Sequence, residues 1–426
     1  MKANLITVII CITFSTVIYS QKNDSINFFI QNYQYVKALE LIETENEITD
    51  EILMTKAYLC RNLHKYNDAI EIYKLVFQND TNNIKVMIDM SNCYEAINDY
   101  ETAQSLIKSA LVTDSANIFL IQKLGDSYYQ SRNFLQSVNT YLQAEKIDSS
   151  YYLAKQLARS YENLKSDSMA IIYYYKTLNF NPKDYRSLLR LVDILRVNKD
   201  FDTALALTEN YLMSDSLNTQ VLRMNGVLNY SKNRLPSAII SLQKCLDLKD
   251  SSDIVIKFMG YSLFKTQYYD ESKPFLDYLC KIEPNNPEVF YMAGMAHTRS
   301  STPDIGLIYM EVALDILTAF DSTFMSTFYY DLGVTRSKNY QFRQAIKDYE
   351  TALLYNPNNY FILHEIAIIY SHNLKNRKKA IEYFKRFLHS SDTEHDTNNE
   401  YSKLMRKYVE STVQRLEEEE FMERGK

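Results

Sequence analysis

At 426 residues the chain would ordinarily divide into two or three globular domains, but seven Gly and seven Pro are too few for that many loops and point to nearly continuous helix. The formal net charge of −6 excludes the basic balance that nucleic-acid binding calls for. Tyr is abundant at 36, a residue that buries its ring and keeps a wet hydroxyl on helical arrays with little deep core.

Residues 1–20 read as a secretory signal peptide: Lys2, an apolar run from Leu5 to Ile18 diluted by Thr and Ser, and the small Ser20 before Gln21. A signal anchor is the alternative, although the run is short and polar-spotted for a spanning helix. Cys11 invites a lipoprotein reading, against which stands Ile10, where lipidation needs a small residue. The mature chain is therefore expected to be exported, with no stable membrane span, to the periplasm or cell envelope. Residues 21–48, with Tyr35, Ala38 and Leu41, predict a degenerate first repeat that caps an array.

From 49 to 389 one unit recurs about ten times. In the stretch Asp253–Asn286, Ile256, Met259 and Leu263 fall on one helical face, and Leu276 and Leu279 do the same after a turn. Gly260 marks a close helix crossing, Ser272 is its small partner on the second helix, and Pro284 stops that helix. The first small position recurs at Ala57, Ser91, Gly125, Ala158, Val192, Gly226, Gly260, Gly294, Gly333 and Ala367. The second recurs at Ala69, Ala103, Ser137, Ala170, Ala204, Ala238, Ser272, Gly306, Ala345 and Ala380, at spacings of almost uniformly 34 residues. One repeat carries a five-residue insertion near Ala319 to Ser326. Residues 390–399 then predict a polar linker, and 400–426 a closing helix with a solvated acidic run, Glu417 to Glu420.

The period and the small-residue pattern resemble the tetratricopeptide repeat family. Leu124-Gly125-x-x-Tyr128, with Ala144 in the second helix, is close to that family's motif. The family's first-helix Trp is absent; Leu53, Ile121, Leu222 and Ile256 stand there. The resemblance implies an all-α, right-handed superhelical solenoid of about ten helix-turn-helix repeats with a C-terminal capping helix. It also implies first helices lining a concave groove that binds a protein partner. The clamp by which chaperone-binding members hold a terminal carboxylate is not matched at Lys155 and Arg159 or at Lys257 and Tyr261.

No motif for catalysis or metal binding is found: HExxH, CxxC, P-loop, GxGxxG and GxSxG are all missing. The expectation is no enzyme, no cofactor and no metal. Cys60 and Cys93, and Cys245 and Cys280, stand 33 and 35 apart, at equivalent sites of neighbouring repeats. Equivalent helices lie about 9–10 Å apart, too far for the ~7 Å that a disulfide allows, so free thiols are expected, with a bridge as the alternative. His364 and His372 stand eight apart on one helix, a spacing that lets both face the groove. Asp-Ser/Thr pairs such as Asp114-Ser115 and Asp215-Ser216 read either as helix caps or as an O-glycosylation sequon of exported proteins.

The functional surface is expected on outward-facing first-helix positions. Its middle is basic: Lys155, Arg159, Arg186, Arg196, Arg223, Lys257 and Lys265, against Glu162 and Asp193. Later repeats add Tyr230, Tyr261, Phe264, Tyr291, Tyr330 and Phe361. Arg and aromatic side chains anchor interfaces, and a cationic surface steers acidic ligands. The expected partner is an acidic, partly aromatic or apolar segment of another protein, bound by a non-enzymatic scaffold. Machinery for polysaccharide export or outer-membrane assembly is the alternative, and the oligomeric state is left open.

Overall fold

A computed structural model describes residues 24–44, 49–317, 322–393 and 400–424, and every regular element among them is helical. The expected signal peptide lies outside the described residues. The chain forms two compact units that meet in sequence between Asp200 and Phe201. Unit one holds α1 (24–31), α2 (Tyr35–Ile42), α3 (Asp50–Asn62), α4 (Tyr66–Asn79), α5 (Ile84–Ala96), α6 (Tyr100–Thr113), α7 (Ile118–Gln130), α8 (Phe134–Ile147), α9 (Tyr151–Asn163), α10 (Asp167–Phe180) and α11 (Tyr185–Val197). Unit two holds α12 (Phe201–Ser214), α13 (Thr219–Ser231), α14 (Leu235–Asp247), α15 (Asp253–Lys265), α16 (Tyr269–Ile282), α17 (Pro287–Arg299), α18 (Pro303–Ile316), α19 (Ser322–Lys338), α20 (Phe342–Tyr355), α21 (Phe361–Ile368), α22 (Arg377–Thr393) and α23 (Glu400–Arg424). Within each unit successive helices pack on one another, so each unit is a stack of helix pairs.

The repeat pattern accounts for the packing. All twenty small positions are buried. Four residues after each second small position stands a buried side chain: Tyr73, Ile107, Tyr141, Tyr174, Thr208, Leu242, Leu276, Met310, Tyr349 and Phe384. This column fills the space beside each crossing. Where it turns polar, at Thr208, a closed network satisfies it. Asn225 donates to the Thr208 hydroxyl at 2.9 Å, and Ser241 and Asn229 donate to the Asn225 carbonyl oxygen at 2.8 and 2.9 Å.

The turn inside most pairs holds a left-handed residue, yet none of the described ones is Gly. His64, Asn98, Arg132, Lys165, Asn233, Gln267 and Tyr340 take φ between 56° and 64°. Each ends a helix in a Schellman arrangement, as where Lys65 N–H reaches Cys60 O at 2.9 Å and Asn133 N–H reaches Tyr128 O at 2.8 Å. The six described glycines sit at helix crossings instead. Asn and Ser side chains open the first helices: Asn83, Asn117, Ser150 and Asn218 each accept an N–H from the first turn.

Three features depart from the plain repeat. Ala367 and Ala380 stand thirteen apart rather than twelve, and the extra residue is taken up in a π-turn, Ile369–Asn373, with Leu374 N–H on Ile369 O at 3.0 Å. The insertion ends in a lengthened helix, α19, of 17 residues. The expected linker starts later than residue 390, because α22 continues through Thr393. All four described cysteines are buried free thiols, and burial pushes Cys93 and Cys245 up to about 11 and Cys280 to about 12.

Candidate interaction surface

In unit one the first helices α9 and α11 carry four of the expected cations, in two distinct states. Lys155 is neutralised: its Nζ lies 2.8 Å from Asp184 Oδ2 and 3.0 Å from the Tyr151 hydroxyl. Arg196 pairs with Asp193 on its own helix at 2.9 Å. Arg159 instead lies 4.8 Å from the Tyr129 ring centroid and donates to Gln156 Oε1 at 3.0 Å. Arg186 lies on Tyr185, 5.9 Å from its ring centroid. Both are exposed, and neither has a carboxylate partner among the described residues. Tyr129 also receives Asn163 Nδ2 on its hydroxyl at 3.2 Å, which fixes the ring under Arg159.

Unit two repeats the theme with more rings. Arg223 pairs with Asp250 at 3.3 Å and Lys257 with Glu283 at 2.8 Å. Lys265 sits 4.5 Å from the centroid of Tyr230, whose ring also meets Phe258 at 5.1 Å. Tyr261 is buried and belongs to the core, while Phe264 packs edge-on against Tyr269. Tyr291 donates its hydroxyl to the buried Asp331 at 2.6 Å, and Tyr330 packs on Tyr349 at 5.7 Å. Phe361 is partly exposed and stacks on Tyr360 at 4.6 Å. His364 is not on the outward face: it packs on Phe384 and Phe387 of α22.

The neutralising carboxylates were missed by counting first-helix positions alone, because they come from the connections between repeats. Asp184 caps α11, Asp250 precedes α15, and Glu283 ends α16. Each meets a cation 26 to 29 residues earlier, on the first helix of the preceding repeat.

Asp184 is the best held of these. Burial by itself would raise its carboxyl, but Lys155, Ser187 and Tyr151 outweigh that and hold it at about 2. A carboxyl lowered by folding stabilises the protein above its unfolded value near 4, and the contribution is lost as pH falls toward 2. Asp184→Asn is expected to cost about 1–3 kcal/mol at pH 7 and to flatten the loss of stability between pH 4 and pH 2. Urea unfolding at stepped pH measures both. An acid limb unchanged by the substitution would remove Asp184 from the account.

Among the described residues no group of His, Cys, Asp and Glu is placed to hold a metal, and no helix is long and apolar enough to cross a membrane. Stacked helix pairs with a decorated first-helix face define a helical repeat protein. Residues 326–359 match the family model described as Tetratricopeptide repeat. That match falls on one repeat of a pattern that recurs through both units. A curated relative, BBSome complex member BBS4 of Bos taurus, is 20% identical over 237 residues, 55% of this chain and 46% of that protein. The chain thus spans a little under half the length of the curated relative it matches. The C-terminal part of a TPR repeat-containing protein from Cytophaga hutchinsonii aligns at 16% identity over 55% of this chain and 98% of its own, with a TM-score of 0.49. Yeast Tom70 aligns at 13% identity over 94% and 95%, with a TM-score of 0.33.

Proposed function

We propose that this chain is a non-enzymatic scaffold, exported to the cell envelope, that holds an acidic segment of a partner protein on its first-helix face. The observation that carries the reading is the contrast in unit one. Lys155 and Arg196 are spent on internal carboxylates, whereas Arg159 and Arg186 are exposed, ring-supported and without a carboxylate among the described residues. An unpaired Arg held on a Tyr ring keeps its fork free for a carboxylate and is already partly ordered. In unit two Lys265 on Tyr230 offers the same chemistry beside rings that would take an apolar side chain. Export is supported by the n-region, apolar run and small Ser20 of residues 1–20.

The test is crosslinking in cells followed by capture, with the wild type beside the double variant Arg159→Glu/Arg186→Glu. Both positions are exposed, so helicity should not change. Partners captured by the wild type are expected to fall at least tenfold with the variant. Equal capture by both would place binding elsewhere. Capture of polysaccharide or membrane assemblies with no protein would support envelope assembly machinery instead. Residence of the native protein in the cytoplasm would overturn the exported reading separately.

A further inference from the structure

In unit two the ends of α20 and α22 leave a cleft of about 820 Å³. Its apolar wall is Leu353, Leu354, Pro357 and Leu363, and Arg386 and His389 stand beside it. Leu354 is 81% exposed although it sits against this hollow. The other polar lining groups are engaged: Glu350 accepts the Tyr383 hydroxyl at 2.7 Å, and Lys385 pairs with Glu417 at 2.6 Å. Arg386 rests on the Tyr383 ring, 4.8 Å from its centroid, and has no carboxylate partner among the described residues. The cleft therefore fits a segment with acidic groups next to large apolar ones.

The same unit presents such a segment. In α23 the run Glu417 to Glu420 is followed by Phe421 and Met422, which are 80% and 68% exposed. This tip does not reach the cleft of its own chain. Glu417 lies on Lys385 and Glu419 on Arg377, 3.4 Å away, so α23 runs back along α22 and its tip is drawn to the start of that helix. From Arg377 to His389 is twelve residues, about 18 Å of helix. We propose that the cleft takes the α23 tip of a second copy of this chain. Phe421 or Met422 would lie on Leu354 and Pro357, and Glu418 would meet Arg386. A two-fold arrangement makes the contact twice, since each copy offers both a tip and a cleft. Each contact rests on one short tip, so the dimer is expected to be weak. Its charge pairs lie at the rim and weaken with salt.

Sedimentation velocity on the full chain from 1 to 300 µM tests this. The expected result is a monomer–dimer equilibrium that weakens at least tenfold in Leu354→Glu and in the double variant Phe421→Ser/Met422→Ser. Arg386→Glu should weaken it too, and adding Glu418→Arg should restore it. All these positions are exposed, and unchanged helicity by circular dichroism verifies folding. A chain that stays monomeric at 300 µM overturns the proposal, as does a dimer indifferent to both the Leu354 and the tip variants. Failure of the charge swap to restore association would overturn the Arg386–Glu418 pairing. A fluorescein-labelled Glu-Glu-Phe-Met peptide, which copies residues 419–422, should bind the cleft and lose binding in Arg386→Glu, and a peptide that binds equally well to that variant overturns the cleft as its receptor.

Discussion

Gly306→Ala is expected to cost about 3 kcal/mol or more and to open the α17/α18 pair, whereas Gly125→Ala should change stability by no more than about 1 kcal/mol. The two glycines occupy corresponding crossings, but different atoms face them. A Cβ at Gly306 would lie 2.7 Å from Gly294 O and 2.9 Å from Thr298 N. Those are backbone atoms of a neighbouring helix, so the helices themselves must separate. A Cβ at Gly125 would meet the Tyr141 ring at 2.5 Å, and a ring can shift. Two other repeats already hold that combination: Ala57 with Tyr73 and Ala158 with Tyr174, each pair sixteen residues apart and fully buried or nearly so. The gain in helix propensity from Gly to Ala, about 1 kcal/mol, offsets the shift at Gly125. Because each repeat leans only on its neighbours, the damage at Gly306 should spread locally. Thermal unfolding compares the two variants, and limited proteolysis should cut near residues 299–303 only in Gly306→Ala. Equal costs at both sites would refute the distinction between backbone and ring contact.

Arg336→Met is expected to cost about 3–5 kcal/mol at pH 8, while the double variant Arg336→Met/Asp348→Leu should return to within about 1 kcal/mol of the wild type or exceed it. Arg336 of α19 donates from one Nη to both carboxylate oxygens of Asp348 in α20, at 3.1 and 3.0 Å, and reaches Glu311 at 3.6 Å. Removing the guanidinium leaves a buried carboxylate alone. Burial already pushes Asp348 up to about 6 against the pull of Arg336. A carboxyl raised by folding stabilises when protonated: its contribution is complete below pH 4 and lost as pH rises through 6. The single variant should therefore recover stability on acidification from pH 8 to pH 5, and the double variant should lose that dependence. Urea unfolding of all three proteins at the two pH values decides it. A single variant as stable as wild type at pH 8 would mean that Asp348 gains access to water.

The candidate surface divides along the same line between local signal and assembled contact. Arg159 and Arg186 were legible from register, since an outward first-helix position follows from the 3.6-residue period. What they lean on was not. Nothing local says that Tyr129, thirty residues before Arg159, lies under its guanidinium, or that Asp184 reaches back to Lys155. Tyr261 has the same outward register as its neighbours and is nevertheless buried, because Tyr230 and the helix that follows cover it.

By itself the sequence determined the helix pairs and their crossings. Small residues at a fixed period, aromatics such as Tyr66 and Phe342 at the start of second helices, and prolines just past their ends all act through steric rules that operate within a few turns of chain. Only the tertiary structure decided which charges remain available for a partner, which glycines face backbone and which face a ring, and that the acidic, apolar tip of α23 lies away from its own cleft. Those outcomes depend on distances between residues about 12 to 40 positions apart, and a stack sets them through the packing of every helix between.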